Sequence, residues 1–436
     1  MCRPGEQSTG KRCQEDRCDR NASKNFSRCH FNFVSLDAGS VEKGTGSVRW
    51  ACAAARDGDE TRDERRTGGS RRAGGPREHA RPARSRKLQY IANAVDALRQ
   101  FYSDRGFTVS QSPPENQVPV SQQDSSPDQT ELRERHYNAT VIERIDCHEN
   151  LARFRIRPDA GVPVFKAGQY VTLGLGYWEP RLEGTQEEQV PEKKLQRVAK
   201  RAYSISCPLL NEHGKLAPVD SLDYLEFYIT LVRAAEGPGK AAPALTPRLF
   251  CLGKGDRLAI GKKVVGAYTL GEIDPQATVL MLGTGTGEAP HNAMTATLLS
   301  RGHRGRIVNA CCVRYLGDLA YYPRHLSLMD QYENYRYLPC TTRERINTDP
   351  SMPGYVGKQY LQDLFTSGKL AQAAQDPLAP GNTHVFLCGN PAMIGYVPPG
   401  GQPPSTPGML PLLEAEGFRQ DHEGGGPGTV LFEKYW

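Results

Sequence analysis

Val279-Leu-Met-Leu-Gly-Thr-Gly-Thr-Gly-Glu-Ala-Pro290 decides how the second half of this 436-residue chain folds. Residues 279–282 form a short, continuously apolar run, the pattern of a strand buried on both faces of a parallel sheet. Gly283, Gly285 and Gly287, spaced by Thr284 and Thr286, then let the backbone turn sharply beside a ligand. Pro290 and residues 291–299 begin and continue a helix whose amino end faces that turn. Backbone N–H groups and the helix dipole at such a place suit a pyrophosphate. The spacing differs from the Gly-x-Gly-x-x-Gly of dehydrogenases, and taken alone the string also reads as a plain turn.

The end of the next strand bears on which dinucleotide fits. An acidic side chain there meets the ribose hydroxyls of NAD, whereas a 2′-phosphate calls for arginine. Residues 307–313 lead into Arg314-Tyr315, with no carboxylate until Asp318. Arg343, within Thr341-Thr-Arg-Glu-Arg345, and Lys358 add cations at later loops, the edge where open α/β sheets bind ligands. Each cation alone reads as a solvated surface charge; three at successive strand ends point to NADP.

Some eighty residues upstream stands Arg201-Ala-Tyr-Ser204. On a strand, Arg201 and Tyr203 share a face about 7 Å apart while Ser204 points the other way. A planar guanidinium can grip a pyrophosphate and the phenol ring can lie along a flat heterocycle, the two demands of a flavin dinucleotide. The bland alternative is a strand whose tyrosine faces the core.

With these motifs assembled, the chain from about residue 137 onward resembles the bacterial type of ferredoxin NADP reductase. The resemblance is carried by Phe165-Lys-Ala-Gly-Gln-Tyr170, Arg201-Ala-Tyr-Ser204, Leu245-Thr-Pro-Arg-Leu249, Gly283-Thr-Gly-Thr-Gly287, Arg314-Tyr315 with Asp318-Leu319, Thr342-Arg-Glu344, Leu387-Cys-Gly-Asn-Pro391 and Glu433-Lys-Tyr-Trp436, in the family's order. It implies that Arg201 binds the FAD pyrophosphate, that Tyr203 packs on the isoalloxazine and that Ser204 reaches toward flavin N5. It further implies that Thr246 helps hold the pyrophosphate at a helix start. Arg314, Arg343 and Lys358 match positions that contact the adenosine phosphate of NADP. Cys388 sits where the family brings a small polarizable side chain near the nicotinamide, and Tyr435 and Trp436 match terminal aromatics that pack over the cofactor. Glu433 is a candidate proton source, against the plain reading of a solvated carboxylate near a terminus. Two departures stand out. Glu288 puts a carboxylate beside the expected pyrophosphate, so it must face solvent or be neutralised. The Glu-, Gln- and Lys-rich residues 177–200 lengthen the approach to the Arg201 strand and offer a cover for the adenine.

Composition fits two domains plus a tail: 38% of residues are apolar, enough for sizeable cores. The net charge of +6 is uneven, with 20 Lys and Arg against 12 Asp and Glu in residues 1–90, and 35 against 37 afterwards. Residues 1–84, rich in Arg, Gly, Ser and Asp, are expected to be a disordered basic extension. Its mixed signs and lack of interleaved aromatics argue against nucleic-acid binding. Leu88, Ile91, Val95, Leu98 and Tyr102 recur at helical spacing and predict an amphipathic helix over 85–108. Residues 109–134, with several prolines, read as a linker. Residues 135–272 alternate short strands with turns, among them 139–145, 152–156, 170–175, 203–207 and 224–232, the pattern of an antiparallel β-barrel. Residues 273–436 alternate strands with helices and predict a doubly wound parallel α/β domain.

The twelve cysteines show none of the paired C-x-x-C spacings of zinc or iron–sulfur sites, so no metal is expected. They read as reduced thiols, with the adjacent Cys311 and Cys312 on opposite faces of a strand as packing residues rather than a redox pair. No apolar run approaches the ~20 residues of a membrane helix, and the amino end lacks a signal-peptide core; a cytoplasmic protein is expected. The combined reading is an FAD-dependent reductase that moves electrons between NADPH and a separate ferredoxin or flavodoxin, by hydride transfer between nicotinamide C4 and flavin N5. Two alternatives stay open at this point: the reductase component of an oxygenase, and a flavin- or nucleotide-binding redox sensor without turnover.

Overall fold

The computed structural model describes residues 127–436, apart from 238, 398–399, 403–405, 422–427 and 436. The expected extension, the amphipathic helix over 85–108, the first part of the linker and Trp436 lie outside the described residues.

The end of the expected linker is helical. α1 (Pro127–His136) has no apolar stripe of its own, and a tertiary contact holds it. Arg133 donates from Nε and Nη2 to both carboxylate oxygens of Glu179, each at 2.8 Å, a bidentate pair. Tyr137 and the Trp178 indole donate to the same Glu179 Oε1 at 2.8 and 3.1 Å. A buried carboxylate that accepts from three side chains fixes the helix where local propensity does not.

Eight strands follow: β1 (Ala139–His148), β2 (Leu151–Pro158), β3 (Tyr170–Gly176), β4 (Val198–Ser204), the short ribbon β5 (Leu209–Leu210) with β6 (Leu216–Ala217), then β7 (Leu225–Thr230) and β8 (Arg257–Ile260). Six form one antiparallel sheet in the order β4-β3-β8-β1-β2-β7. The Ser206 N–H donates to Glu226 O at 2.8 Å, so the chain just past β4 meets β7 and the sheet curls into a barrel. Phe154, Ile156, Leu173, Phe227 and Leu258 fill it. The strand expected at 203–207 lies earlier, because Leu173 pairs with Arg201 and Leu175 with Ala199, drawing charged residues into the ladder. Between β7 and β8 runs α2 (Thr246–Leu249).

The second half is a five-stranded parallel sheet, β11-β10-β9-β12-β13, built from β9 (Thr278–Thr284), β10 (Ile307–Val313), β11 (Tyr335–Thr341), β12 (Thr383–Gly389) and β13 (Val430–Lys434). The helices between them are α3 (Glu288–Ser300), α4 (Tyr322–Gln331), α5 (Arg345–Thr348), α6 (Leu361–Thr366), α7 (Lys369–Ala374), α8 (Pro391–Ile394) and α9 (Met409–Ala415). Apolar clusters cover both faces of the sheet, and Cys311 and Cys312 belong to different ones, as alternation along a strand requires. The strand order reverses at β9, so β9 and β12 flank a crevice at their carboxyl ends, where open α/β sheets take ligands.

Ionic and aromatic contacts tie barrel to parallel sheet. Buried Glu226 accepts from Arg155 Nε at 2.8 Å and from Tyr321 at 2.7 Å, with Arg153 stacked over the Tyr321 ring. Tyr228 donates to the carbonyl of Asp318 at 2.5 Å.

Candidate functional site

A cavity of about 980 Å3 opens at the switch point between β9 and β12, within the size range of small-molecule and cofactor sites. Thr284, Gly285 and Thr286 form its floor and Arg314 one wall. Gly285 takes a left-handed conformation (φ +54) in a single 3-10 turn over Gly285–Gly287 that feeds straight into α3. The helix therefore starts at Glu288, two residues before Pro290, which sits in the first turn where its missing N–H costs nothing. Gly287 has a different reason to be glycine. A Cβ there would lie 2.4 Å from the Cys388 carbonyl oxygen, so the loop can press against the end of β12 only without a side chain. Thr284 Oγ1 accepts the N–H of Asn390 at 2.8 Å and locks the same two strand ends together.

Glu288 faces neither solvent nor the cavity mouth. It is fully buried, its Oε1 accepting from Tyr337 at 2.5 Å and lying 3.1 Å from His325 Nε2. The His325 ring stacks on Tyr337 with centroids 3.9 Å apart, and its Nδ1 meets the Tyr335 hydroxyl at 2.7 Å. Of the two outcomes the sequence allowed, exposure to solvent does not occur; α4 and β11 supply partners for Oε1, and Oε2 is buried without one.

The three residues expected to be catalytic converge on Tyr435, which lines the cavity. Ser204 and Cys388 are neighbours of the Tyr435 side chain. Glu433 on β13 is the register partner of Cys388 on β12. Burial raises the Cys388 thiol and the Tyr435 hydroxyl above their ordinary ranges, and it raises the half-buried Glu433 carboxyl against the opposing pull of Lys434. All three groups are thus held in their protonated forms more firmly than in water.

On the barrel, Arg201 is exposed on β4 and donates to the carbonyl of Lys200 at 3.0 Å, leaving its guanidinium face open. Tyr203 stands two residues on and is half-buried, while Ser204 is buried on the opposite side. Thr246 begins α2, its Oγ1 accepting the Val232 N–H at 3.1 Å. Residues 177–200 are tethered to the barrel: buried Arg248 donates to the carbonyl of Tyr177 at 3.0 Å and to Glu188 at 2.7 Å, and Arg181 reaches the carbonyl of Pro243 at 2.7 Å.

Arg343 and Lys358 are exposed and do not line the cavity; Thr342 and Tyr360 beside them do. The backbone N–H of Arg343 donates to the Arg314 carbonyl at 2.9 Å, which keeps the two arginines on one edge. Sequence reasoning missed the wall that the barrel contributes. His148, Asn150, Tyr228 and Arg233 line the cavity from that side, with Arg233 Nε donating to Asn150 Oδ1 at 2.7 Å and His148 Nε2 lying 3.0 Å from Asp318 Oδ1. Only the packing of the two halves brings them there.

The chain is similar to several known proteins. The oxidoreductase NAD-binding domain family matches residues 281–398. The ferredoxin–NADP reductase of Pseudomonas aeruginosa is 26% identical over 307 residues, covering 68% of this chain and 96% of the relative. The flavodoxin/ferredoxin–NADP reductase of Escherichia coli is 30% identical over 246 residues, covering 56% and 81%. A ferredoxin NADP+ reductase from Neisseria gonorrhoeae, solved with bound FAD and NADP, aligns over 68% of this chain and 97% of its own with a TM-score of 0.48 and 21% identity. With an antiparallel barrel, a parallel sheet carrying the Gly-rich turn, and a relative 30% identical across four-fifths of its length, the chain belongs to the ferredoxin–NADP reductase family.

Proposed function

We propose that this chain is an FAD-dependent NADPH reductase whose electrons pass to a ferredoxin- or flavodoxin-type carrier. The observation that carries the reading is the meeting of Ser204, Cys388 and Glu433 around Tyr435 at the wall of a cavity floored by the Gly-rich turn.

The residues present fit both groups. Gly287 has no room for a Cβ against β12, so the turn can offer its N–H groups at the amino end of the thirteen-residue α3 to a pyrophosphate. Arg314 faces the same cavity and would supply a planar fork for a 2′-phosphate, with Arg343, bonded to it through the backbone, as a further cation beside it. On β4, the open guanidinium of Arg201, the Tyr203 ring and the start of α2 at Thr246 form the set that would hold FAD. FAD bound there supplies chemistry that takes a hydride from NADPH and releases electrons singly. The chain orients and excludes. Tyr435, beside Ser204 and Cys388, sets the wall against which a nicotinamide would lie, and the raised Glu433 carboxyl keeps a proton close to that wall. Residues 177–200, clamped by Arg248 and Glu188, shield the barrel side of the flavin site.

The test is to purify the chain, measure bound flavin by its absorbance, and follow NADPH-dependent reduction of a ferredoxin and of a flavodoxin in separate reactions. Stoichiometric FAD with turnover of either carrier supports the proposal. A colourless protein that takes up no FAD, or a flavoprotein inert toward NADPH, overturns it.

A further inference from the structure

We propose that Cys312 and Cys340 form a reversible thiol–disulfide pair, a modification site beside the nucleotide cavity. The two residues sit opposite one another on the adjacent parallel strands β10 and β11. Neighbouring strands lie about 4.8 Å apart, inside the Cα separation of about 4.4 to 6.8 Å that a disulfide spans. Both sulfurs converge on one acceptor, the carbonyl of Gln359, at 2.8 Å from Cys340 and 3.8 Å from Cys312. Cys311, adjacent in sequence, faces the other side of the sheet and takes no part.

Access separates the roles of the two thiols. Both are nearly buried, yet Cys312 lines the cavity together with Arg314 and Tyr360, so a small oxidant entering the cavity reaches Cys312 first. Arg314, two residues on, lines the same cavity wall. The neighbouring Cys312 side chain and burial hold Cys340 protonated, which leaves it the second of the two to react. With a hydroperoxide as oxidant, the Cys312 sulfur attacks one oxygen, the O–O bond breaks, and water, or the alcohol of an organic peroxide, leaves with the Cys312 proton. Cys312 is then a sulfenic acid. The Cys340 sulfur attacks it, an S–S bond forms as the S–O bond breaks, and water departs with the Cys340 proton. Two thiols lose two electrons in total, and the peroxide gains them; a dithiol reverses the change. Forming the bond withdraws both sulfurs from the Gln359 carbonyl, next to Tyr360 at the cavity wall, so oxidation is felt in the cavity.

Protection by nucleotide rests on the function proposed above, since NADP+ shields Cys312 only if it fills this cavity. The experiment treats the full chain, with its flavin, with hydrogen peroxide and maps its peptides after alkylation. The expected product is a Cys312–Cys340 cross-linked peptide lacking two hydrogens and restored by dithiothreitol. NADP+ at ten times its dissociation constant should slow its formation about tenfold, because about a tenth of the sites stay open. In Cys340→Ser the expected product is a single added oxygen on Cys312, trapped by dimedone; in Cys312→Ser, Cys340 should stay reduced. Free thiols at both positions under conditions that oxidise other cysteines, or cross-links to any other cysteine, overturn the pair. A cross-link that forms equally fast with and without NADP+ leaves the pair standing and instead contradicts the placing of NADP(H) in the cavity.

Discussion

Gly287→Ala tests the floor of the cavity. The added methyl would stand 2.4 Å from the Cys388 oxygen and 2.7 Å from its carbonyl carbon, both backbone atoms that no rotamer can move aside. Restoring ordinary contact requires the Gly-rich turn and the end of β12 to part by ~1 Å. Overpacking of this kind costs about 1 to 3 kcal/mol of stability. The larger consequence falls on binding. The N–H groups at the start of α3 would swing away from an anion, and each charge-assisted hydrogen bond lost is worth about 1.5 to 3 kcal/mol. One such bond makes the NADP+ dissociation constant rise roughly ten- to hundredfold. The assay is an NADP+ titration read from the flavin absorbance, alongside thermal unfolding and flavin content. Flavin content should match the wild type, because β4 and α2 are untouched. A variant that binds NADP+ as tightly as the wild type refutes the assignment of this turn to the nucleotide.

Two further outcomes follow from the structure. Arg201→Ala should shed flavin during gel filtration while the chain stays folded, since the guanidinium is exposed on β4 and its contact within the protein is to a neighbouring carbonyl; full retention would remove Arg201 from the flavin site. His291 is fully buried with its Nε2 2.7 Å from the Tyr268 hydroxyl, and burial pushes its imidazole down to about 3. The unfolded chain takes up that proton near the ordinary value of 6.5, so the stability contribution is present above it and is lost as pH falls toward 3. At about pH 5 the loss is on the order of 2 kcal/mol. Chemical unfolding at about pH 5 and pH 8 should show a smaller difference for His291→Gln than for the wild type, and an unchanged difference would contradict the neutral buried imidazole.

Much of this was legible in the sequence where local pattern and tertiary role coincide. Residues 279–290 gave strand, turn and helix because a doubly buried strand must be apolar and a turn pressed against β12 must be glycine. Elsewhere the deciding partners are distant. α1 looks like linker because its stabilising carboxylate, Glu179, lies 46 residues beyond Arg133. The start of β4 reads as charged loop because its side chains face solvent while its backbone pairs with β3. Glu288 looks out of place until His325 and Tyr337, 37 and 49 residues on, are brought to it. Arg314 was legible as a cavity cation from its place at a strand end, whereas His148 and Arg233 carry no such signal, since only the docking of the barrel turns them toward the cavity.

The central claim, an NADP(H) site served by Arg314 and its edge, is tested most directly by the ratio of kcat/KM for NADPH over NADH, in the wild type and in Arg314→Ala with Arg343→Ala. NADH lacks only the 2′-phosphate, and two charge-assisted contacts of roughly 1.5 to 3 kcal/mol each imply a preference of about a hundredfold or more. The double variant should lose that preference mainly through a weaker KM for NADPH, with kcat at saturation little changed, because the contact is made equally in ground and transition states. A wild type that favours NADH, or a double variant that keeps the full preference for NADPH, would contradict the account.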